Sequence, residues 1–420
     1  MLSEQENDLL IRTGPGTPMG ELFRRFWLPA LLSTELPEPD CPPVKLTILS
    51  EELVGFRDSE GRVGVLERYC PHRGSSLFWG RNEESGLRCV YHGWKFDVTG
   101  SCVDMPNEPL ESRFKEKIRA TAYPTEERGG VIWVYMGPRD LQPQMPELEW
   151  TFVPQNQRYV SKRITACNYL QNVEGEVDSA HVSFLHGRAN RDASRYDNVL
   201  SRYEAGDSTP KFTVKRADHG LLIGARRDAG DEGYYWRITP FFMPSYTIVP
   251  SAPDQVKLGT LAVPLDDDHM MGFTVTWHSG RPMNEAELAW CTTGDGSHVS
   301  LLPGTFSMVQ NKANNYEIDR QKQRTDSFTG IRGVRTQDVA VQEDQWGPVT
   351  RRWKEHLGTT DLAVIALRRH LLRSAANLQK GIEPPEAHNG AAYRIRSVAV
   401  VLKPDVDFAE GARELMSARA

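Results

Sequence analysis

Two short stretches of this chain bring cysteine and histidine together beside glycine. One is Cys70-Pro71-His72-Arg73-Gly74; the other is Cys89-Val90-Tyr91-His92-Gly93-Trp94. Each offers one thiolate and one imidazole, and each glycine lets the chain turn sharply around a bound group. Two chemistries are open to such a set. Four donors of this kind close a tetrahedral zinc site. They also hold a [2Fe–2S] cluster, with both sulfur ligands on one iron and both nitrogen ligands on the other. Zinc fingers usually pair cysteine with cysteine in one knuckle and histidine with histidine in the other. Here each loop supplies one of each, which favours the two-iron cluster. Its imidazole ligands raise the potential above that of an all-cysteine cluster. The other cysteines, Cys41, Cys102, Cys167 and Cys291, read as small buried side chains.

A second group of donors lies in CNYLQNVEGEVDSAHVSFLHG, which contains Asp178, His181 and His186. Asp178 and His181 are neighbours on one face if the segment is helical. His181 and His186 are five apart, so they converge on one ion only if the helix is distorted or ends between them. Two neutral imidazoles and one carboxylate make the facial triad of non-haem Fe(II) oxygenases, which leaves positions open for O2 and substrate. Taken alone, the two histidines are more simply capping or core side chains. Any further carboxylate ligand has to come from far downstream, where RTQDVAVQEDQWGP offers Asp338, Glu343 and Asp344. Asn168 and Asn172 read as polar residues on a helix surface, with a part in shaping the metal pocket as the other reading.

The elements that would carry these residues fall into two groups. Thr17 to about Trp27 suits a short helix, with Thr17 as N-cap and Pro18 first. Residues 45–138 run as short strand-like segments broken by turns, DSEG with Gly61 last suiting a hairpin. Residues 141–150, rich in proline and polar residues, read as a linker. Asn168 to His186 reads as helix, and 203–279 returns to strand-like runs. A long helix follows Thr360–Asp361 and stops at Gly381. The fold class is α+β in two domains, 1–140 with a β core over about 45–138, and 151–420. The 50 basic and 56 acidic residues leave a net charge of −6, which argues against a nucleic-acid partner. No apolar run approaches the ~20 residues of a membrane span. The polar, acidic start lacks the pattern of a secretion signal, and six cysteines in this length are no disulfide framework, so a cytoplasmic protein is expected.

CPHRG…CVYHGWKFD resembles Rieske domains, and neither loop has the extra cysteine of the respiratory type. The stretches ENDLLIRTGPGTPMGELFRRFWLPALLSTELPEPD, NYLQNVEGEVDSAHVSFLHG, RTQDVAVQEDQWGP and GAAYRIRSVAVVL resemble the phthalate 4,5-dioxygenase group of Rieske non-haem iron oxygenases. The resemblance implies an N-terminal all-β Rieske domain followed by a helix-grip catalytic domain. It makes Cys70, His72, Cys89 and His92 the ligands of the [2Fe–2S] cluster. It makes His181 and His186, in a D-x-x-H-x-x-x-x-H pattern, ligands of one mononuclear Fe(II). Asp178 becomes the carboxylate that bridges the two centres. Asp338 becomes the third iron ligand, leaving Glu343 and Asp344 as solvated acids. It further implies NAD(P)H electrons delivered by a flavin and iron–sulfur reductase, and homotrimers or stacked trimers in which a neighbour's cluster approaches each iron. The expected reaction is hydroxylation of a small aromatic, a carboxylate such as phthalate, using O2. Monooxygenation or O-demethylation is the alternative, and an electron-transfer-only protein would leave the second metal set idle. A carboxylate substrate needs cationic partners. Arg202, Arg226, Arg227 and Arg237 are candidates, each also readable as a solvated or structural arginine. Tyr234-Tyr235-Trp236 and Phe241-Phe242 read as core packing, or else as walls of a flat pocket.

Overall fold

The computed structural model describes residues 2–109, 111–189 and 199–418. The N-terminal half is built from three small antiparallel sheets. Val44–Ile48, Glu51–Arg57, Val63–Glu67 and Ala122–Tyr123 form one. Arg81–Glu83, Gly86–Arg88, Lys95–Phe96 and Cys102–Asp104 form the second. Strand Val131–Tyr135 pairs with both Trp27–Leu32 and Thr125–Arg128 in the third. The DSEG hairpin closes as its residues require. Asp58 Oδ1 accepts from the backbone N–H of Glu60 and Arg62, and Gly61 takes φ 80°.

The C-terminal half is one antiparallel sheet of eight strands. Arg158–Thr165 lies at one edge, followed by Met270–Trp277, Lys257–Pro264, Tyr246–Val249, Tyr234–Phe242, Gly220–Asp228 and Lys211–Ala217. Val398–Leu402 pairs with Tyr234–Phe242. Helices Tyr169–Val177 and Leu362–Leu378 pack on this sheet and on each other, the helix-grip arrangement. Leu170, Val173 and Val177 give the first helix a buried apolar stripe. Gly381, at φ 78°, follows the end of the second as expected, but Asp361 at its N-cap makes no capping bond, its carboxylate accepting from the Gly358 N–H instead.

The N-terminal helices Glu4–Ile11 and Pro18–Phe23 lie against helix Leu362–Leu378 of the C-terminal half, and Phe23 meets Tyr169 edge-on at 4.8 Å. The second of them is capped by Thr17, as its sequence predicts, but ends at Phe23, and Trp27 opens a strand. The proline-rich segment 141–150 is no free tether. Met145, Leu148 and Trp150 are buried in the core shared by both halves, and buried Glu149 accepts from Trp277 Nε1 at 3.0 Å. No described helix is long and apolar enough to cross a membrane.

Candidate metal centres

The two Cys/His loops close by the same hydrogen bonds. The Gly74 N–H donates to the Cys70 carbonyl and the Gly93 N–H to that of Cys89. Both glycines have positive φ, 69° and 79°, so the reversal after each histidine needs a residue without a Cβ penalty. At Gly93 a Cβ would also meet Pro106 Cγ at 2.6 Å. Cys70 and Cys89 are buried while His72 and His92 lie at the rim, their rings 4.5 Å apart. Trp94 stacks on His72 at 4.2 Å.

These donors fit an iron–sulfur group better than a zinc ion. Burial pushes the Cys70 thiol up to about 12; the His72 backbone N–H opposes this and Cys89 adds to it. A Cys70 thiolate therefore persists here only against a cationic group. His92 Nδ1 is buried without a partner, as a ligand atom would be. Donors around one zinc ion would stand roughly 3.8 Å apart, given Zn–S of about 2.3 Å. Among the described residues, the one set of three whose ligand atoms all lie within 4.8 Å of one another is His181, His186 and Asp338. No three of the loop donors share that spacing. Cys41, Cys102, Cys167 and Cys291 are buried and unpaired with one another.

At the second centre, the expected helix from Asn168 to His186 is interrupted. It runs only over Tyr169–Val177; a single 3-10 turn, His181–Ser183, follows. Asp178 causes the break. Its Oδ1 accepts from the Ala180 N–H at 2.7 Å, an alternative to continuing the helix. Asp178 and His181 therefore do not share a helix face, yet Asp178 Oδ2 still lies 3.5 Å from His181 Nδ1. The turn lets residues five apart converge: His181 Nε2 and His186 Nε2 are 3.2 Å apart. Buried Arg227 braces the turn, donating to the Ser179 carbonyl at 2.6 Å and to Ser179 Oγ at 3.2 Å.

Asp338 arrives on helix Val334–Gln342, whose Arg335, Asp338 and Gln342 share the face turned to helix Tyr169–Val177. Gly175 faces Gln342 across this contact, a Cβ there lying 2.8 Å from Gln342 Nε2 at the end of its side chain. Asp338 Oδ1 lies 3.1 Å from His186 Nε2 and 3.8 Å from His181 Nε2. Burial pushes Asp338 up, but His186, Arg335 and His181 prevail and hold it at about 2. Burial pulls His181 down, but Asp178 and Asp338 outweigh this and raise it. Three donor atoms within 4.8 Å of one another suit a divalent cation, and two imidazoles with one carboxylate suit Fe(II).

Several sequence readings are corrected here. Asn168 and Asn172 are fully buried rather than on a surface. Asn168 caps its helix and ties it to the Ile11 and Asp267 carbonyls, and Asn172 donates to Gln342 Oε1. Glu343 is buried too, accepting from the Ala166 N–H and from the Tyr316 hydroxyl, whereas Asp344 is a solvated partner of Lys312. Sequence reasoning missed Arg335, Glu176 and Gln337. Arg335 pairs with Glu176 and stands 3.4 Å from Asp338 Oδ2. The polar run RTQD was the available signal for Arg335 and Gln337.

A cavity of about 280 Å³ opens on the donor triad, lined also by Ser179, Arg237, Thr239, Leu258 and Trp290. Of the four candidate arginines, Arg237 alone lines it. Its guanidinium pairs with Glu204, and its Nε has no partner. Arg226 stacks on the Tyr234 ring at 3.9 Å, Arg227 is the brace already described, and Arg202 is exposed. Trp236 stacks on Phe408, and Tyr235, Phe241 and Phe242 are buried, so the aromatic cluster is core. Asp178, His181 and Asp338 also border a second, more open cleft with Gln342, Glu355 and Arg368.

Residues 26–115 match the Rieske [2Fe-2S] domain, and residues 134–410 match the family described as LigXa C-terminal domain like. The chain is 39% identical over 409 residues to the 3-chlorobenzoate-3,4-dioxygenase oxygenase subunit of Comamonas testosteroni, covering 94% of this chain and 93% of that one. It is 37% identical over 420 residues to the phthalate 4,5-dioxygenase oxygenase subunit of Pseudomonas putida, covering 97% and 94%. The solved structure of the NdmA QL mutant of Pseudomonas putida CBB5 with caffeine shares the fold, with a TM-score of 0.61, 18% identity and coverage of 93% and 99%.

Proposed function

This chain belongs to the Rieske non-haem iron ring-hydroxylating oxygenases, as an oxygenase subunit related to the phthalate 4,5-dioxygenase group, and from that premise we propose that it hydroxylates a small aromatic carboxylate in the cavity beside His181, His186 and Asp338. In this reading Cys70, His72, Cys89 and His92 hold the [2Fe–2S] cluster, and the triad holds one Fe(II). The iron supplies O2 activation when bound; the protein positions the substrate and excludes water. The observation that carries the reading is the convergence of three donors from two distant segments at one wall of a cavity.

Arg237 is the cation for the substrate's carboxylate, through the partnerless Nε. Asp178 stands between the cavity and the open cleft, with its Oδ2 turned to His181. A neighbouring subunit in a trimer brings a Rieske loop into that cleft, where the same carboxylate accepts from a cluster histidine. The exposed apolar tip of the second loop, Val90 at 55% and Tyr91 at 52%, supports such a docking. Electrons from NAD(P)H enter through a separate flavin and iron–sulfur reductase.

The test is iron and acid-labile sulfide counted on one anaerobic sample, with EPR of the reduced protein and turnover on a panel of aromatics. The reading expects about three irons and two sulfides per chain and a Rieske-type signal. Aromatic carboxylates should be turned over in preference to the same rings with neutral substituents. Arg237→Lys should raise KM for the carboxylate by about tenfold, the loss of one charge-assisted hydrogen bond, while leaving a neutral substrate unaffected. Turnover of neutral aryl ethers with no response to Arg237→Lys would replace hydroxylation of a carboxylate by O-demethylation.

A further inference from the structure

The two imidazoles of the triad are backed by different groups. Behind His181 is the Asp178 carboxylate. Behind His186 is a neutral amide: His186 Nδ1 lies 2.7 Å from Gln337 Oε1. Gln337 is buried, and its own orientation is fixed, because its Nε2 donates to the Ile331 carbonyl at 2.8 Å. The nitrogen is committed to Ile331, so the oxygen is the atom that faces His186. An amide oxygen only accepts. His186 therefore donates through Nδ1, which turns its other ring nitrogen, Nε2, toward the triad, 3.1 Å from Asp338 Oδ1 and 3.2 Å from His181 Nε2.

We infer that Gln337 is a positioning residue for the mononuclear metal, setting the tautomer and ring plane of His186 so that Nε2 is the ligand atom. This rests on the proposed role of the triad as the iron site. Gln337 precedes Asp338 in the same helix, so one turn of chain supplies a ligand and orients another. Partners behind a metal-bound histidine commonly govern affinity by 10–100-fold. The choice of amide also matters for charge. Asp338 and Asp178 already place two carboxylates around the imidazoles, enough to balance one divalent ion; a neutral acceptor orients His186 without a third.

Two variants separate this role from simple support of the fold. Gln337→Leu removes both the acceptor for His186 and the donor to Ile331. Gln337→Glu keeps an acceptor for His186 Nδ1 but cannot donate to the Ile331 carbonyl. The measurement is Fe(II) affinity of the second site by chelator competition, on protein with its cluster intact, with the reduced-cluster EPR signal and cluster absorbance as controls. The expected result is a 10–100-fold loss in Gln337→Leu and an affinity at or above wild type in Gln337→Glu, with the cluster signals unchanged in both. Equal loss in both variants would assign Gln337 to support of the Ile331 segment and overturn the inference, as would undiminished affinity in Gln337→Leu. His186→Ala is the separate check on the triad: if it and the wild type bind Fe(II) alike, the iron-site reading fails, whatever the Gln337 variants do.

Discussion

The two candidate metal-binding regions are assembled in opposite ways. The Cys/His loops are local: candidate ligands two and three residues apart, each loop closed by its own glycine, and the loops joined by the paired strands Arg81–Glu83 and Gly86–Arg88. The His181/His186/Asp338 centre is global. Its candidate ligands come from a broken helix and from another helix more than 150 residues later, tied face to face by the Arg335–Glu176 pair. A local site depends on backbone conformation, whereas a global one depends on buried side chains that fix two helices.

The largest expected difference lies in ligand removal. Asp338→Ala should empty the second site, taking iron from about three to about two per chain, while sulfide and the cluster's EPR signal stay as they were. Loss of both signals together would mean that the two regions are not independent. Next comes Asp178→Asn, which should keep both metals and lower turnover by about 10–100-fold or more. Normal turnover in that variant would remove Asp178 from the path between the centres.

Backbone strain should be felt in the loops. Gly93→Ala should cost about 1–3 kcal/mol, more than Gly74→Ala, because only at Gly93 does a neighbour crowd the new Cβ. Thermal loss of the cluster's visible absorbance measures this, and equal costs would make φ alone the determinant.

The smallest effect is acid sensitivity of the catalytic half. His298 is buried, with Nδ1 2.6 Å from Ser161 Oγ and Nε2 2.9 Å from Thr276 Oγ1. Burial, then Arg335 and Arg163, lower its pKa to about 3. The unfolded chain takes up this proton near 6.5 and the folded chain does not. Its stabilising contribution is therefore complete above 6.5 and lost as pH falls toward 3. From pH 6.5 to 5.5 the loss should be about 1 kcal/mol, and His298→Gln should abolish that part of the slope in denaturant titrations.

How much was legible follows the same division. Most of the strands read over 203–279, though not 203–206, which are helical, the helix that stops before Gly381 and the DSEG hairpin are readable because period, stop and turn chemistry are written in adjacent residues. The linker was misjudged because proline marks a break in regular structure and says nothing of burial; Met145, Leu148 and Trp150 were the apolar residues that betrayed it. Asn168, Asn172 and Glu343 look like surface residues in sequence, and each is buried against a partner from a distant segment.

The sequence alone determined the type of chemistry: which donors exist, that each loop pairs one sulfur with one nitrogen, and that His181 and His186 could meet only across a break in the helix. Tertiary structure decided the rest. It brought Asp338 to 3.1 Å from His186, set Gln337 and Asp178 behind the two imidazoles, and turned Arg237 rather than three other arginines into the cavity. The reason is physical. Ligand type and short spacing are properties of adjacent covalent units, whereas distance across a fold and the partner behind a side chain arise only when helices and strands pack.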